Sequence, residues 1–115
     1  MADESTLVSD LKKSVSDFVT KRDWERFHNP KDLAISLSIE CGELLELFQW
    51  KSPEDVDIKD EKMADKLKEE LADIVIYAIS LANATSIDIS DAVTEKIKKN
   101  ESKYPAKEWK GKAWL

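Results

Sequence analysis

Two pairs of acidic residues have the spacing best suited to chemistry in this chain of 115 residues. Glu40 and Glu43 form one pair, and Glu70 and Asp73 form the other. Because residues three positions apart lie on one face of an α-helix, each pair presents two carboxylates side by side. Both pairs interrupt apolar helical patterns, so they are predicted to point towards a protein interior. A carboxylate in that position is unfavourable unless it is paired or binds a cation.

The ligand chemistry of these four carboxylates favours a hard cation. Oxygen ligands suit Mg²⁺, Mn²⁺ or Ca²⁺ better than Zn²⁺ or Cu²⁺. A di-iron centre of the ferritin type needs Glu-x-x-His pairs, and the one histidine of this chain, His28, lies outside both acidic pairs. Since Mg²⁺ commonly joins carboxylates to phosphates, the pattern predicts metal-assisted hydrolysis of a phosphate-containing substrate.

Spacing alone leaves two other interpretations of the acidic pairs open. Charged helices contain such pairs by chance, in which case the side chains are solvated. Alternatively, the pairs bind a structural cation in a non-catalytic helical oligomer that binds nucleotides or proteins. Glu46 lies three positions beyond Glu43 and either extends the first pair or faces water at its rim.

Aromatic and basic side chains flank the region that carries the first acidic pair. Trp24 and Trp50 offer aromatic faces on which a nucleobase can stack, a contact worth roughly 1–3 kcal/mol. His28 and Lys51 are candidates for hydrogen bonding to a base or for neutralising phosphate. The competing interpretation is that these side chains serve only helix packing and solvation.

Composition narrows the class of protein. The net charge of -6 argues against binding of nucleic acid polymers by a basic surface. The single cysteine, Cys41, cannot form an internal disulfide, and we expect a small buried side chain rather than a nucleophile. No apolar run approaches the roughly 20 residues needed to cross a membrane, and no signal peptide is visible. We therefore expect a cytoplasmic protein without membrane contact.

Apolar residues recur at helical spacing and nowhere alternate with period two, which predicts an all-α fold. Helix starts are indicated by Asn29 followed by Pro30, and by Asp88. The second helix is apolar on most sides, which indicates oligomer contacts as well as an internal core. The four predicted helices span residues 5–22, 30–50, 61–84 and 88–103.

A single domain over residues 1–115 is the expected organisation. Its core spans about residues 5–105, and a tail over residues 106–115 carries Trp109 and Trp114.

Two positions on the later helices add polar groups to the acidic pairs. Tyr77 lies one turn beyond Asp73 and therefore shares the side of the third helix that carries the carboxylates. Lys96 and Asn100 are four positions apart and share one face of the fourth helix. Lysine is a common phosphate partner, so this face is a candidate for substrate contact.

These motifs resemble those of the MazG-like all-α nucleoside triphosphate pyrophosphohydrolases, and especially of the dCTP pyrophosphatases among them. The acidic blocks read E-x-x-E and E-x-x-D, and the neighbouring Arg-Asp-Trp and Phe-Gln-Trp-Lys segments make the match specific. The similarity covers about residues 18–105. The matching segments are residues 22–28 with Pro30, 40–44, 46–51 and 69–77, and in the last helix Lys96, Asn100 and residues 103–105.

The resemblance implies a four-helix bundle completed by self-association, either as a homotetramer built as a dimer of dimers or as a homodimer. It implies cleavage of a nucleoside triphosphate between the α- and β-phosphates, with Mg²⁺ as cofactor and Mn²⁺ as a substitute. The four carboxylates would hold the metal, and Glu43, together with Glu40, would orient the attacking water. The side chains that the resemblance places against the nucleotide are Trp24, His28, Trp50, Lys51, Tyr77, Lys96 and Asn100.

The substrate expected from the resemblance is dCTP or a modified cytosine nucleotide, and the expected role is removal of unwanted triphosphates from the nucleotide pool. The same chemistry on dUTP or on noncanonical triphosphates is the alternative, because stacking on an aromatic side chain tolerates any base.

Overall fold

Helices account for the regular structure of residues 1–112, the part of the chain that the computed structural model describes. No strand occurs within this range, so the predicted all-α class is confirmed. Short 3₁₀ turns lie at Ala2–Glu4, Glu25–Phe27 and Pro53–Asp55. The α-helices are α1 (Val8–Lys21), α2 (Pro30–Glu46), α3 (Glu61–Thr85), α4 (Ile89–Lys103) and the single turn α5 (Ala106–Trp109).

Side-chain caps explain where α2, α3 and α4 begin. Asn29 accepts a hydrogen bond from the amide of Asp32 at 2.9 Å, and Pro30 occupies the first helical position. Asp60 and Asp88 cap α3 and α4 in the same way. Each cap pairs an amide that the helix itself leaves unbonded, which fixes the start of the helix to one residue.

The predicted helix ends differ from the observed ones mainly in α2. This helix was predicted to continue to residue 50 but ends at Glu46. Beyond it, the amides of Leu47 and Phe48 bond to carbonyls three residues back, which tightens the chain into turns. Residues 47–50 therefore form turns and not a continuation of the α-helix.

α3 is the central element, since it packs along α2 over much of its length and against α1 over a shorter stretch. The buried apolar side chains among the described residues are few: Leu33, Met63, Ile79 and Ala82. The radius of gyration is 17.2 Å, whereas about 13 Å is typical of a compact domain of this length. The apolar faces of α1, α2 and α3 are thus only partly covered within one chain.

α4 leaves the end of α3 at an angle of 103°. Within residues 1–112, no single helix is long and apolar enough to cross a membrane, although α3 and α4 taken together as a bent pair meet the length and composition limits.

Candidate metal centre and adjoining groove

The packing of α2 against α3 brings three of the four predicted metal ligands together. Carboxylate oxygens of Glu40, Glu43 and Glu70 lie within 4.8 Å of one another. Glu40 and Glu70 are half-buried and Glu43 is exposed, so the cluster opens to solvent on the Glu43 side. Asp73 lies one turn beyond Glu70 and is half-buried, outside the three-residue cluster but near enough to act on it electrostatically.

Two oxygens in this cluster lack the partners that buried polar atoms normally have. Glu40 Oε2 and Glu70 Oε2 are both inaccessible to solvent and find no hydrogen-bond partner among residues 1–112. A buried, unpartnered carboxylate oxygen is strongly unfavourable in a native structure unless another group satisfies it.

The electrostatics of the cluster have the same origin. Burial, followed by hydrogen bonding to Glu43 and by its charge, raises the pKa of Glu40 to about 7. Burial, and next the negative charge of Glu43, also raises the pKa of Glu70. Crowding of carboxylates in a partly desolvated place favours their protonated forms, and a cation would reverse that preference.

These observations fit a hard divalent cation. The donor set consists of carboxylate oxygens, two of which are buried without a partner, and such oxygens are the ligands that Mg²⁺ and Mn²⁺ prefer. Glu46, the last residue of α2, is exposed and is not one of the three clustered carboxylates.

An apolar groove of about 870 Å³ runs between α1 and α3, and none of the four carboxylates lines it. Trp24, His28 and Tyr77 line it, so the structure brings three of the predicted substrate contacts to one surface. Its remaining walls are mostly aliphatic. A groove of this volume with mainly apolar walls is typical of sites that bind small organic ligands.

The orientation of Trp24 follows from the turn after α1. The Trp24 ring meets the Phe18 ring edge-on, with 5.8 Å between centroids. The Arg22 guanidinium lies 3.7 Å from the centroid of the Phe18 ring and donates a hydrogen bond to the Phe18 carbonyl. Asp23 has a positive φ of 54°, which turns the chain sharply between Arg22 and Trp24. These contacts orient the Trp24 ring, which lines the groove.

The other predicted substrate contacts lie elsewhere. Trp50 is 89% exposed in the turns after α2, and Lys51 follows it, also exposed. Lys96 and Asn100 lie on α4, where both are exposed. None of these four lines the groove described above, and their roles stay predictions.

Two further residues complete the comparison with the sequence. Cys41, predicted to be buried, is exposed, and that prediction was wrong because its side of α2 is not covered within the chain. In the tail, Trp109 packs edge-on against Tyr104 with centroids 5.1 Å apart, whereas Trp114 lies outside the described residues.

Sequence reasoning missed the part that Leu11 and Phe18 have in the groove. Both lie on the apolar stripe of the first helix, and both are partly exposed along the groove. Their helical spacing marked an apolar face but carried no information about what that face contacts.

The acidic residues that meet between two packed helices place the chain among all-α proteins with a carboxylate cluster suited to a cation. Residues 35–113 match the model of the MazG-like family, a span that includes both acidic pairs and most of α2, α3 and α4. The chain belongs to the MazG-like family, as its sequence motifs predicted.

Individual relatives agree with this assignment. The chain is 39% identical to dCTP pyrophosphatase 1 of Mus musculus over 112 residues, which is 96% of this chain and 65% of the mouse protein. It is 39% identical to dCTP pyrophosphatase 1 of Homo sapiens over 105 residues, which is 90% of this chain and 61% of the human protein. The chain therefore spans less than two thirds of the length of these relatives.

A solved structure is similar over most of the chain. The crystal structure of a pyrophosphatase from Archaeoglobus fulgidus DSM 4304 superposes with a TM-score of 0.73 and 37% sequence identity. The match covers 84% of this chain and 91% of that one.

Proposed function

We propose that this protein is a Mg²⁺-dependent nucleoside triphosphate pyrophosphohydrolase that converts dCTP, or a modified cytosine nucleotide, to the monophosphate and pyrophosphate. The observation that carries the proposal is the pair of buried, unpartnered oxygens of Glu40 and Glu70 beside Glu43. The names of the mouse and human relatives support the choice of nucleotide.

The proposed mechanism gives the carboxylates a shared role and one of them a second role. Glu40, Glu43 and Glu70, with the nearby Asp73, would hold the cation from α2 and α3, and the exposed Glu43 would also orient a water and accept its proton. Bound Mg²⁺ supplies charge neutralisation and polarisation of phosphoryl oxygens. The water oxygen bonds to the α-phosphorus as the bond from that phosphorus to the bridging oxygen breaks, and pyrophosphate leaves with that oxygen.

The proposal is tested by incubating the protein with a panel of deoxynucleoside triphosphates and Mg²⁺ in ¹⁸O-labelled water. We expect pyrophosphate release with the highest kcat/KM for dCTP and with the label in the monophosphate. If the activity is highest on dUTP or a noncanonical triphosphate, the proposed reaction stands and the proposed substrate is wrong. Metal-independent release of single phosphates, or Mg²⁺-dependent stabilisation without any turnover, contradicts the proposal.

The stability of the protein is expected to respond to Mg²⁺ more strongly at pH 8 than at pH 6. The pKa of Glu40 is raised to about 7 in the folded protein, so the protonated side chain contributes stability to the metal-free fold at a pH below the ordinary carboxyl pKa. This contribution is lost as the pH rises through 7. Cation binding requires the deprotonated carboxylates, so it restores more stability at the higher pH. Differential scanning fluorimetry with and without Mg²⁺ measures the difference.

The control for this pH dependence is Glu40→Gln, which cannot titrate. Its Mg²⁺ response is expected to be smaller and to depend less on pH between 6 and 8, although not to lose the dependence fully, because the pKa of Glu70 is also raised. A wild-type Mg²⁺ response that is equal at both pH values contradicts the involvement of Glu40.

Replacement of Trp24 by alanine is expected to raise KM about tenfold, because loss of a base–aromatic stack removes roughly 1–3 kcal/mol. Trp24→Phe retains a stacking face and is expected to have a smaller effect. Phe27→Ala is the matched control, since Phe27 is exposed in the same turn but does not line the groove. Equal KM values for Trp24→Ala and wild type, from steady-state pyrophosphate assays, would remove Trp24 from the nucleotide site.

Self-association is part of the proposal, with residues 1–115 forming one cytoplasmic domain that assembles as a homodimer or homotetramer. The supporting observation is the exposed apolar surface on α1 and α3, where Leu71 is 54% exposed and Val75 and Ile76 are also exposed. Monomeric proteins rarely leave contiguous apolar surface of this kind uncovered.

A further inference from the structure

The corner between α3 and α4 is held by a residue from the far end of the chain. The Lys12 ammonium, on α1, donates a hydrogen bond to the carbonyl of Ile87 at 2.9 Å. The Asn83 amide, near the end of α3, donates in turn to the carbonyl of Lys12 at 3.1 Å. Lys12 and Asn83 are both half-buried. We name these two contacts the Lys12–Asn83 staple.

The staple acts where the chain changes direction. Three residues separate α3 from α4, and the first of them, Ser86, has a left-handed φ of 57°. Ile87 follows and carries the carbonyl that Lys12 holds. Asp88 then caps α4 through the amide of Asp91 at 2.8 Å. The direction in which α4 departs is therefore set by a short segment with one long-range tether.

Little else within the described chain restrains α4. Extensive helix packing is confined to α2 against α3 and α1 against α3. Every residue from 90 to 103 is exposed, and only Ile89, at the start of the helix, is half-buried. A helix attached mainly at one end behaves as a lever about that end.

Because α4 is long, a small change of angle at the α3–α4 corner moves the residues near the far end of α4 by a large distance. At 1.5 Å per residue, Asn100 lies about 16 Å along the axis from Ile89, and Lys96 about 10 Å. A rotation of about 10° at the corner displaces Asn100 by about 3 Å, which is the length of a hydrogen bond. Small changes at the corner are thus sufficient to break contacts made at the far end.

We propose that Lys12 and Asn83 are positioning residues that, through α4, set the location of Lys96 and Asn100 relative to the nucleotide. This inference rests on the proposed function, in which Lys96 and Asn100 contact the substrate. Neither Lys12 nor Asn83 belongs to the carboxylate cluster. Their effect is therefore on substrate binding rather than on the cation centre.

Lys12→Met retains the aliphatic stem and removes the donor to Ile87. We expect KM for the preferred triphosphate to rise about tenfold, since loss of a charged hydrogen bond lowers the fraction of molecules with α4 correctly placed. The kcat and the Mg²⁺ concentration for half-maximal stabilisation are expected to stay near wild-type values. Lys12→Arg, which keeps a charged donor, is expected to restore most of the KM.

The matched control is Lys13→Met, on the same helix. Lys13 forms an exposed ion pair with Asp17 at 2.8 Å and does not reach the corner, so its KM is expected to equal that of the wild type. Asn83→Leu is expected to raise KM in the same direction as Lys12→Met. The double variant is expected to fall short of the product of the two effects, because both act on one tether.

A distance measurement tests the staple without relying on activity. Nitroxide labels at Asp65→Cys on α3 and Lys98→Cys on α4, in a Cys41→Ser background, report the α3–α4 geometry by pulsed electron paramagnetic resonance. Labelled protein is diluted with unlabelled protein so that distances within one chain dominate. Lys12→Met is expected to shift or broaden a narrow wild-type distribution, whereas Lys13→Met leaves it unchanged.

An unchanged distance distribution in Lys12→Met overturns the staple, and a changed distribution with an unchanged KM overturns its role in substrate binding. A rise in KM accompanied by an equal loss of kcat and of the Mg²⁺ response would mean general destabilisation. That result also overturns the proposed role of the staple. If the wild-type protein releases no pyrophosphate from any triphosphate, the proposed function fails, while the distance measurement still decides whether the staple orients α4.

Discussion

Glu43→Gln is expected to reduce Mg²⁺-dependent pyrophosphate release about 1,000-fold while leaving the protein folded. Glu43 is the exposed member of the carboxylate cluster and the one whose charge acts on both Glu40 and Glu70. Glutamine keeps the size of the side chain but cannot accept a proton from water, and removal of a general base commonly lowers the rate 10²–10⁴-fold. Steady-state kinetics at saturating Mg²⁺ measure the loss.

The same substitution is expected to make the metal-free protein more stable. Removing the Glu43 charge relieves the repulsion that raises the pKa values of Glu40 and Glu70, so the melting temperature of the metal-free variant should rise by about 2–5 °C. Loss of activity together with a gain of stability cannot come from unfolding. This combination separates a chemical role from a structural one.

Glu69→Gln is the control for Glu43→Gln. Glu69 is exposed and adjacent to Glu70 in sequence, but it is not one of the three clustered carboxylates. Its activity is expected to stay within about twofold of the wild type, as for a typical surface substitution. Full activity of Glu43→Gln would remove Glu43 from catalysis, and equal losses in both variants would indicate only a change in net charge.

The convergence of the acidic residues could be predicted because it depends on local rules. A spacing of three places Glu40 beside Glu43 on one helix, and the apolar residues around each pair indicate that the two faces meet. The starts of α2 and α4 could be predicted for a similar reason, since Asn29 and Asp88 bond to amides only three residues away. The single histidine of the chain, His28, also argued against a di-iron centre, which needs Glu-x-x-His pairs.

The features that could not be predicted depend on contacts between distant residues. The direction of α4 follows from a left-handed Ser86 and from a hydrogen bond between Lys12 and Ile87, which are 75 positions apart. No local pattern encodes that pairing. The exposure of Leu11 and Phe18 is similar, because periodicity identifies an apolar face but not the surface that covers it.

Leu11→Asp is expected to weaken self-association about 100-fold. Leu11 lies on α1 along the apolar groove and is 44% exposed, so in the proposed assembly its side chain is covered by a second copy. Placing a carboxylate in such a surface exchanges a favourable apolar contact for the desolvation of a charge. Because Leu11 is not part of the carboxylate cluster, cation binding within each chain should persist.

Sedimentation velocity over a range of protein concentrations measures the change, with the single-chain mass of 13.1 kDa as reference. The wild-type protein is expected to sediment as a dimer or tetramer and Leu11→Asp as smaller species with a lower melting temperature. Ser9→Asp is the control, since Ser9 is exposed on the same helix outside the groove and receives the same side chain. A wild-type protein that stays monomeric at all concentrations, or equal association of both variants, would mean that the groove is not covered by a second copy. Pyrophosphate release measured in the same samples then shows whether activity depends on assembly, because the groove that holds Trp24 lies on the surface that the second copy is expected to cover.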